Sequence, residues 1–234
     1  MTLKPSATVL VTGATSGIGQ AIARGFADAG EQVLAVGIGT VPPAENSITY
    51  ASLDVVDSAA VVAMISPLEK LRTLVNAAGV IRRQAEHDPD IFQQVIDVNL
   101  TGTMRVCTAA RAALGANKGA IINIASMLSF FGGGAVPGYS ASKGGIVQLT
   151  KSLAIAYAPE RIRVNAIAPG WIATPLTGSL QDDSARSEAI LGRTPMARWG
   201  SPEDLVGPAL FLAGDGAGFV TGAVLNVDGG YAVV

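Results

Sequence analysis

Thr8-Val9-Leu10-Val11-Thr12-Gly13-Ala14-Thr15-Ser16-Gly17-Ile18-Gly19-Gln20 is the stretch on which the reading of this chain turns. Residues 8–12 are β-branched or aliphatic and predict a short buried strand. A glycine-rich turn follows directly, and residues 20–29 carry a helical pattern that Gly30 ends. Strand, glycine turn and helix, in that order, are the context that gives a glycine motif meaning. Backbone N–H groups at such a helix start attract a pyrophosphate, and glycines let it come close. Gly13, Ser16, Gly17, Ile18 and Gly19 are therefore the candidate phosphate cradle. Their spacing is Gly-x-x-x-Gly-x-Gly rather than the commoner Gly-x-Gly-x-x-Gly, and a plain structural turn is the competing reading.

The same alternation continues outward from this unit. Residues 33–36, 49–53, 71–75, 120–125, 163–167 and 223–227 read as further strands, and 90–117, 139–157 and 202–213 as helices. No linker or repeat interrupts them, so residues 1–234 form a single α/β domain, a doubly wound parallel sheet with helices on both faces. Composition agrees. Hydrophobic residues make up 49%, charged residues 15% and aromatics 5%, which suits strands built from Ala, Val, Ile and Leu and buried on both faces.

Several function classes drop out. A net charge of −2 gives no electrostatic case for nucleic acid or an anionic membrane. No run of about 18 uncharged apolar residues is present to span a bilayer. Residues 1–6 lack the order of a signal peptide, so the protein is expected to be cytoplasmic. Cys107 is the only cysteine and His87 the only histidine, so no intrachain disulfide and no metal site are expected. Cys107 reads as a buried small hydrophobe and His87 as an exposed loop residue.

The second strand ends in Gly37-Ile38-Gly39, about 20 residues past the glycines, where an acid normally meets a ribose 2′-hydroxyl. With neither that acid nor an Arg for a 2′-phosphate, the chain is read as preferring NAD, with NADP left open. Asp54 ends the third strand as a candidate acceptor for adenine. A helix cap is its alternative role, although Asp57 and Ser58 sit closer to the next helix start. The small-residue turn Asn76-Ala77-Ala78-Gly79 stands at a strand's carboxyl end, where an open α/β sheet leaves room for its ligand.

Tyr139-Ser140-Ala141-Ser142-Lys143 supplies the chemistry. In a helix, Tyr139 and Lys143 share one face, about 6 Å apart along the axis. A phenol titrates near pH ~10, and a nearby ammonium favours the phenolate. Ser126, at the tip of the fifth strand, faces the same crevice. Asn99 lies mid-helix, and Gly102 three residues later signals a local distortion. Residues 171–200 are polar, broken by Pro and Gly, with a short helix at 182–191, a pattern that predicts a lid.

Thr12-Gly13-x-x-x-Gly17-Ile18-Gly19, Asn76-Ala77-Ala78-Gly79, Asn99, Ser126, Tyr139-x-x-x-Lys143 and Pro169-Gly170, in this order, resemble the short-chain dehydrogenase/reductases. The resemblance runs from residue 8 to the end. It implies a Rossmann-like domain with about seven parallel strands and hydride transfer between a nicotinamide cofactor and a secondary alcohol or ketone. It implies Tyr139 as general acid/base, Lys143 lowering its pKa and binding the nicotinamide ribose, and Ser126 bonding the substrate oxygen. Asn99 would hold a water linking Lys143 to solvent. Ile38, Asp54 and Val55 would meet the adenosine, with Asn76, Ala77 and Gly79 along it. Pro169, Gly170, Ile172 and Thr174 would meet the carboxamide and phosphate side. A homotetramer is implied, paired through the helices of Asn99 and Tyr139 and the C-terminal segment.

Within the family, Val80-Ile81-Arg82-Arg83, residues 124–130 and Arg198-Trp199-Gly200-Ser201-Pro202 resemble the sugar-acid dehydrogenases, 2-dehydro-3-deoxygluconate 5-dehydrogenases among them. A sugar acid or polyol is the implied substrate. Two departures stand out: Ala135, where that group tends to carry an arginine, and a short segment at 40–47. Arg82 or Arg83 is a candidate carboxylate partner, and Trp171 either lines the substrate pocket or packs under the lid. One competing reading is an NADPH-dependent 3-oxoacyl thioester reductase, which the Arg-free strand end disfavours. Another is a non-catalytic dinucleotide-binding protein, which has no need of Asn99, Ser126, Tyr139 and Lys143 together.

Overall fold

Seven short aliphatic runs pair side by side as β1 (Val9–Thr12), β2 (Val33–Gly37), β3 (Ile48–Ser52), β4 (Thr73–Asn76), β5 (Ala120–Ile124), β6 (Arg163–Pro169) and β7 (Val224–Val227). The computed structural model describes residues 8–45 and 47–234. All pairs are parallel, in the order β3-β2-β1-β4-β5-β6-β7. Every residue of β1, β2, β4 and β5 is buried, because helices cover both faces, as the continuous apolar runs require.

Those helices are α1 (Gly17–Asp28), α2 (Ser58–Ile65), α3 (Pro89–Ile96), α4 (Gly102–Ala116), α5 (Pro137–Tyr157), α6 (Gly178–Gln181), α7 (Ser184–Arg193) and α8 (Val206–Ala213). Strand residues alternate between two cores, since successive side chains point to opposite faces. Leu10, Leu34, Leu74 and Ile121 pack with Val106 and Leu114 of α4 and Leu153 of α5. Val9, Val11, Val75 and Ile122 pack with Ile22 and Phe26 of α1 and Leu212 of α8. Cys107 is fully buried in the first core. Chain order reverses beside β1, which has β2 on one side and β4 on the other, and a crevice opens there at the carboxyl ends.

The helix expected at 90–117 is two helices, α3 and α4, joined by one π turn at Asp97–Thr101. Asn99 sits within that turn, and Gly102 closes it against Val55, whose Cγ2 would stand 2.7 Å from any Cβ there. The helix expected at 182–191 runs Ser184–Arg193, and the short α6 precedes it. Asp57, not Asp54, caps α2, accepting from the N–H groups of Ala59 and Ala60. Asp54 accepts from Val56 N–H at 3.0 Å in the preceding turn. The reading of residues 1–6, and Asn46 of the short segment at 40–47, lie outside the described residues. Among the described residues no helix is long and apolar enough to cross a membrane.

Candidate active site and cofactor cleft

A cleft of about 690 Å³ opens along the carboxyl ends of β1, β2, β4 and β5. The turn after β1 forms its floor. Gly13 and Gly17 hold φ of +64° and +55°, the left-handed region that glycine adopts without strain. A Cβ on Gly13 would stand 2.6 Å from Ala78 N, and one on Gly19 2.3 Å from Gly13 O. The turns after β1 and β4 therefore touch backbone to backbone. Thr12 Oγ1 fastens them, accepting from Ala77 and Ala78 N–H, both at 3.2 Å. Ser16, the residue before α1, makes no side-chain cap, so no side chain claims the first N–H groups of the helix. Such a cradle fits the pyrophosphate of a dinucleotide. Thr174 lies across it, its Cβ 3.5 Å from where a Gly17 Cβ would be. Ile38, Asp54, Val55, Ala77 and Gly79 line the remaining wall with Ile18, Tyr139 and Lys143.

Tyr139 and Lys143 emerge from the first turns of α5. Lys143 is 5% exposed, and its Nζ donates to the Ile124 carbonyl at 2.6 Å and stands 5.6 Å from the Tyr139 ring centroid. Burial pulls its pKa down to about 8. Ser126 Oγ accepts from Leu128 N–H at 3.1 Å, and Ser129 Oγ donates to Lys143 O at 2.7 Å, which ties the tip of β5 to α5.

The Tyr139 phenol is pushed above its ordinary value by burial; a hydrogen bond with Ser126 and the Arg83 charge pull it down, and Glu86 pushes it up. The lowering that the resemblance implies for Lys143 does not outweigh burial here.

The structure places four further groups of these residues. The side-chain amide of Asn99, the residue for which the resemblance implies a water, is engaged by protein. Oδ1 accepts from Val80 N–H at 2.8 Å, and Nδ2 donates to Val80 O and Ser142 Oγ, both at 3.0 Å. Asn99 thus pins the loop after β4 to α5. Asn76 turns inward instead of lying along a cofactor, its Nδ2 donating to Asn123 Oδ1 at 2.9 Å and Cys107 Sγ at 3.3 Å. Pro169, Gly170 and Ile172 do not line the cleft. β6 stays paired to β7 as far as Pro169–Val227, Gly170 backs onto Asp228, and Ile172 is 4% exposed in the core. Trp171 lines a separate cavity of about 390 Å³, edge-on to Trp199 and Tyr231 at 6.1 and 6.3 Å.

The two arginines divide. Arg82 lines the cleft with its guanidinium on Ile81 O. Arg83, whose charge reaches Tyr139, donates to Leu176 O at 3.2 Å. His87 is exposed and bonds Gly134 O at 2.9 Å. Two residues escape the sequence reading. Ser142, inside the Tyr-x-x-x-Lys motif, donates to Tyr139 O at 2.7 Å. Glu86 is buried although it stands in a polar run, and no pattern in the sequence signals that.

A dinucleotide cleft with a Tyr–Lys pair on its wall defines a nicotinamide-dependent oxidoreductase. A family model described as enoyl-(acyl carrier protein) reductase matches residues 13–232, and the chain belongs to the short-chain dehydrogenase/reductase family, which acts on CH–OH groups. It is 43% identical over 239 residues to the 2-dehydro-3-deoxy-D-gluconate 5-dehydrogenase of Pseudoalteromonas atlantica, covering 95% of this chain and 94% of that one. An Agrobacterium tumefaciens crystal structure with bound NADP, provisionally described as a 2-deoxy-D-gluconate 3-dehydrogenase, superposes with TM-score 0.89 at 39% identity. The match covers 99% of this chain and 100% of that one. A gluconate 5-dehydrogenase from Burkholderia cenocepacia, solved with NADP and tartrate, matches with TM-score 0.89 at 33% identity, covering 97% and 96%.

Proposed function

We propose that this chain oxidises a secondary hydroxyl of a sugar acid with NAD, using Tyr139 as the proton carrier. The observation that carries the reading is the Tyr139–Lys143 pair on the wall of the dinucleotide cleft; Arg83, whose charge also acts on the Tyr139 phenol, is the arginine we assign to the substrate carboxylate. The Burkholderia relative, a gluconate 5-dehydrogenase solved in complex with NADP and tartrate, supports the same substrate class.

The cofactor, when bound, supplies the hydride acceptor. Gly13, Ser16, Gly17, Ile18 and Gly19 would hold its pyrophosphate with Thr174; Ile38, Asp54, Val55, Ala77 and Gly79 would hold the adenosine; and Lys143 would hold the ribose. Tyr139, as phenolate, draws the proton from the substrate hydroxyl, and the Ser126 hydroxyl holds the same oxygen while charge develops on it. Asn99 and Ser142 act through position alone. Residues 171–200, which carry Thr174 and Leu176 to the cleft, serve as the lid.

Arg82 and Lys143 are the only Lys or Arg side chains lining the cleft among the described residues, and they stand on the loop after β4 and on α5 rather than at the end of β2. No cation there meets a 2′-phosphate, which favours NAD although the two relatives above hold NADP. Initial rates of cofactor reduction on 2-dehydro-3-deoxy-D-gluconate test both halves. We expect kcat/KM at least about tenfold higher with NAD⁺ than with NADP⁺, a difference of about 1.4 kcal/mol. Arg83→Met should raise KM about tenfold or more, the cost of a lost charged hydrogen bond. A preference for NADP⁺ overturns the cofactor assignment, and an unchanged KM in Arg83→Met overturns the carboxylate assignment.

The assembly we infer is a cytoplasmic homotetramer. The exposed Phe219, Leu225, Val233 and Val234 around β7 and Met104 and Ile155 on α4 and α5 support it. Light scattering should give a tetramer's mass at micromolar concentration, and a monomer there removes this reading.

A further inference from the structure

Among the described residues only two charged side chains are buried, Lys143 at 5% and Glu86 at 1% exposed. Both stand beside Tyr139. A carboxylate is costly to take out of water unless donors meet it, and Glu86 has two. Its Oε2 accepts from Tyr139 N–H at 2.7 Å, and its Oε1 accepts from Arg82 N–H at 2.7 Å.

The first acceptance answers a local need of α5. The helix opens with Val136 as its cap residue, which has no side chain able to cap, and with Pro137, which has no N–H. Glu86 supplies from the loop after β4 what Ser or Asp usually supplies from the preceding residue, and its negative charge suits the positive end of the helix. Gly138 keeps the approach open: a Cβ there would lie 3.3 Å from Glu86 Oε2 and 3.2 Å from Phe92 Cδ2. The second acceptance holds the loop that carries Arg82 and Arg83. Two further bonds close the same seam, Gln84 N–H to Ala135 O at 2.8 Å and the His87 ring to Gly134 O at 2.9 Å.

From this geometry we infer that Glu86 is a positioning residue for proton transfer, one carboxylate setting the place of Tyr139 and its separation from Arg83. The inference rests on the assignment of Tyr139 as proton carrier. It also has an electrostatic side. The charged groups facing the phenol are Glu86 and Arg83 from the loop after β4 and Lys143 from α5 itself. Glu86 raises the phenol's pKa where Arg83 lowers it.

A direct test titrates Tyr139 in the ligand-free protein by ultraviolet phenolate absorbance. The wild-type curve minus that of Tyr139→Phe isolates this phenol, and the same subtraction on the Glu86→Gln background shows what the charge does. Losing the negative charge should favour phenolate, so the midpoint should fall by about half a pH unit or more. On 2-dehydro-3-deoxy-D-gluconate, kcat should fall at least about tenfold through misplacement, with NAD⁺ affinity kept. An unmoved midpoint overturns the inference whatever the activity. If instead the midpoint moves but Tyr139→Phe is fully active, the proton-carrier assignment fails and takes the positioning role with it. Should Glu86→Gln not fold, Glu86→Asp keeps the charge but withdraws it by one methylene. A tenfold loss of kcat in Glu86→Asp supports the role, and full activity overturns it.

Discussion

Tyr139→Phe should lower kcat by about 10²–10⁴-fold, the usual contribution of a positioned acid/base group, while leaving NAD⁺ affinity within about threefold. The substitution removes one hydroxyl and little else. The backbone N–H on Glu86, the carbonyl on Ser142 and the Lys143 bond to Ile124 are all made by atoms that Phe retains or never touches. The loss should therefore fall on kcat and spare cofactor binding. Stopped-flow formation of reduced cofactor, with calorimetry on the same samples, separates the two. Retention of more than a tenth of the wild-type kcat would mean that another group carries the proton.

The sign of the pH dependence follows. Oxidation needs the phenolate, and the ligand-free phenol lies above its ordinary value. Oxidation should thus speed up as pH rises, while ketone reduction, which needs the protonated phenol, should slow.

Gly13→Ala should cost about 3 kcal/mol of stability and weaken NAD⁺ binding at least about tenfold. Two costs add. A non-glycine residue in the left-handed region costs roughly 1–2 kcal/mol, and forcing a methyl into filled space costs roughly 1–3 kcal/mol. The obstruction is backbone, Ala78 N at 2.6 Å and Ala77 C and O at 2.7 Å, so no rotamer change relieves it. Relief must come from parting the turns after β1 and β4, which deforms the pyrophosphate cradle itself. Denaturant unfolding and calorimetry report the two effects. A variant with wild-type stability would show that the turns are not packed in this way.

How far the sequence foretells the structure depends on where each residue's partners lie. The unit from β1 to α1 is legible because its signals are local: an aliphatic run, glycines and a helix start sit within one short stretch. The π turn is half legible, since Gly102 announces a distortion near Asn99 but not what the Asn99 amide grips. Asn76 is misread because β4 is buried on both faces, so alternation cannot say which way its last side chain turns. Pro169-Gly170 reads as a ligand turn, yet the parallel register carries β6 that far, and only the pairing with β7 reveals it. Arg82 and Arg83 are neighbours of one chemical type, and the chain's path alone decides which one reaches Tyr139. Glu86 is the hardest case. It looks solvated among polar neighbours, and the partner that explains its burial lies 53 residues further along the chain.

The Thr12 hydroxyl, bonded to both Ala77 and Ala78, has a thermodynamic consequence. The floor of the cleft is locked during folding, so the entropy of ordering two loops is lost once, at that stage, and not again at each encounter with a ligand. A dinucleotide meets a surface already in its bound shape, and little of its binding free energy is diverted into rearranging the protein beneath it. Whatever movement catalysis needs is left to the segments around the rim.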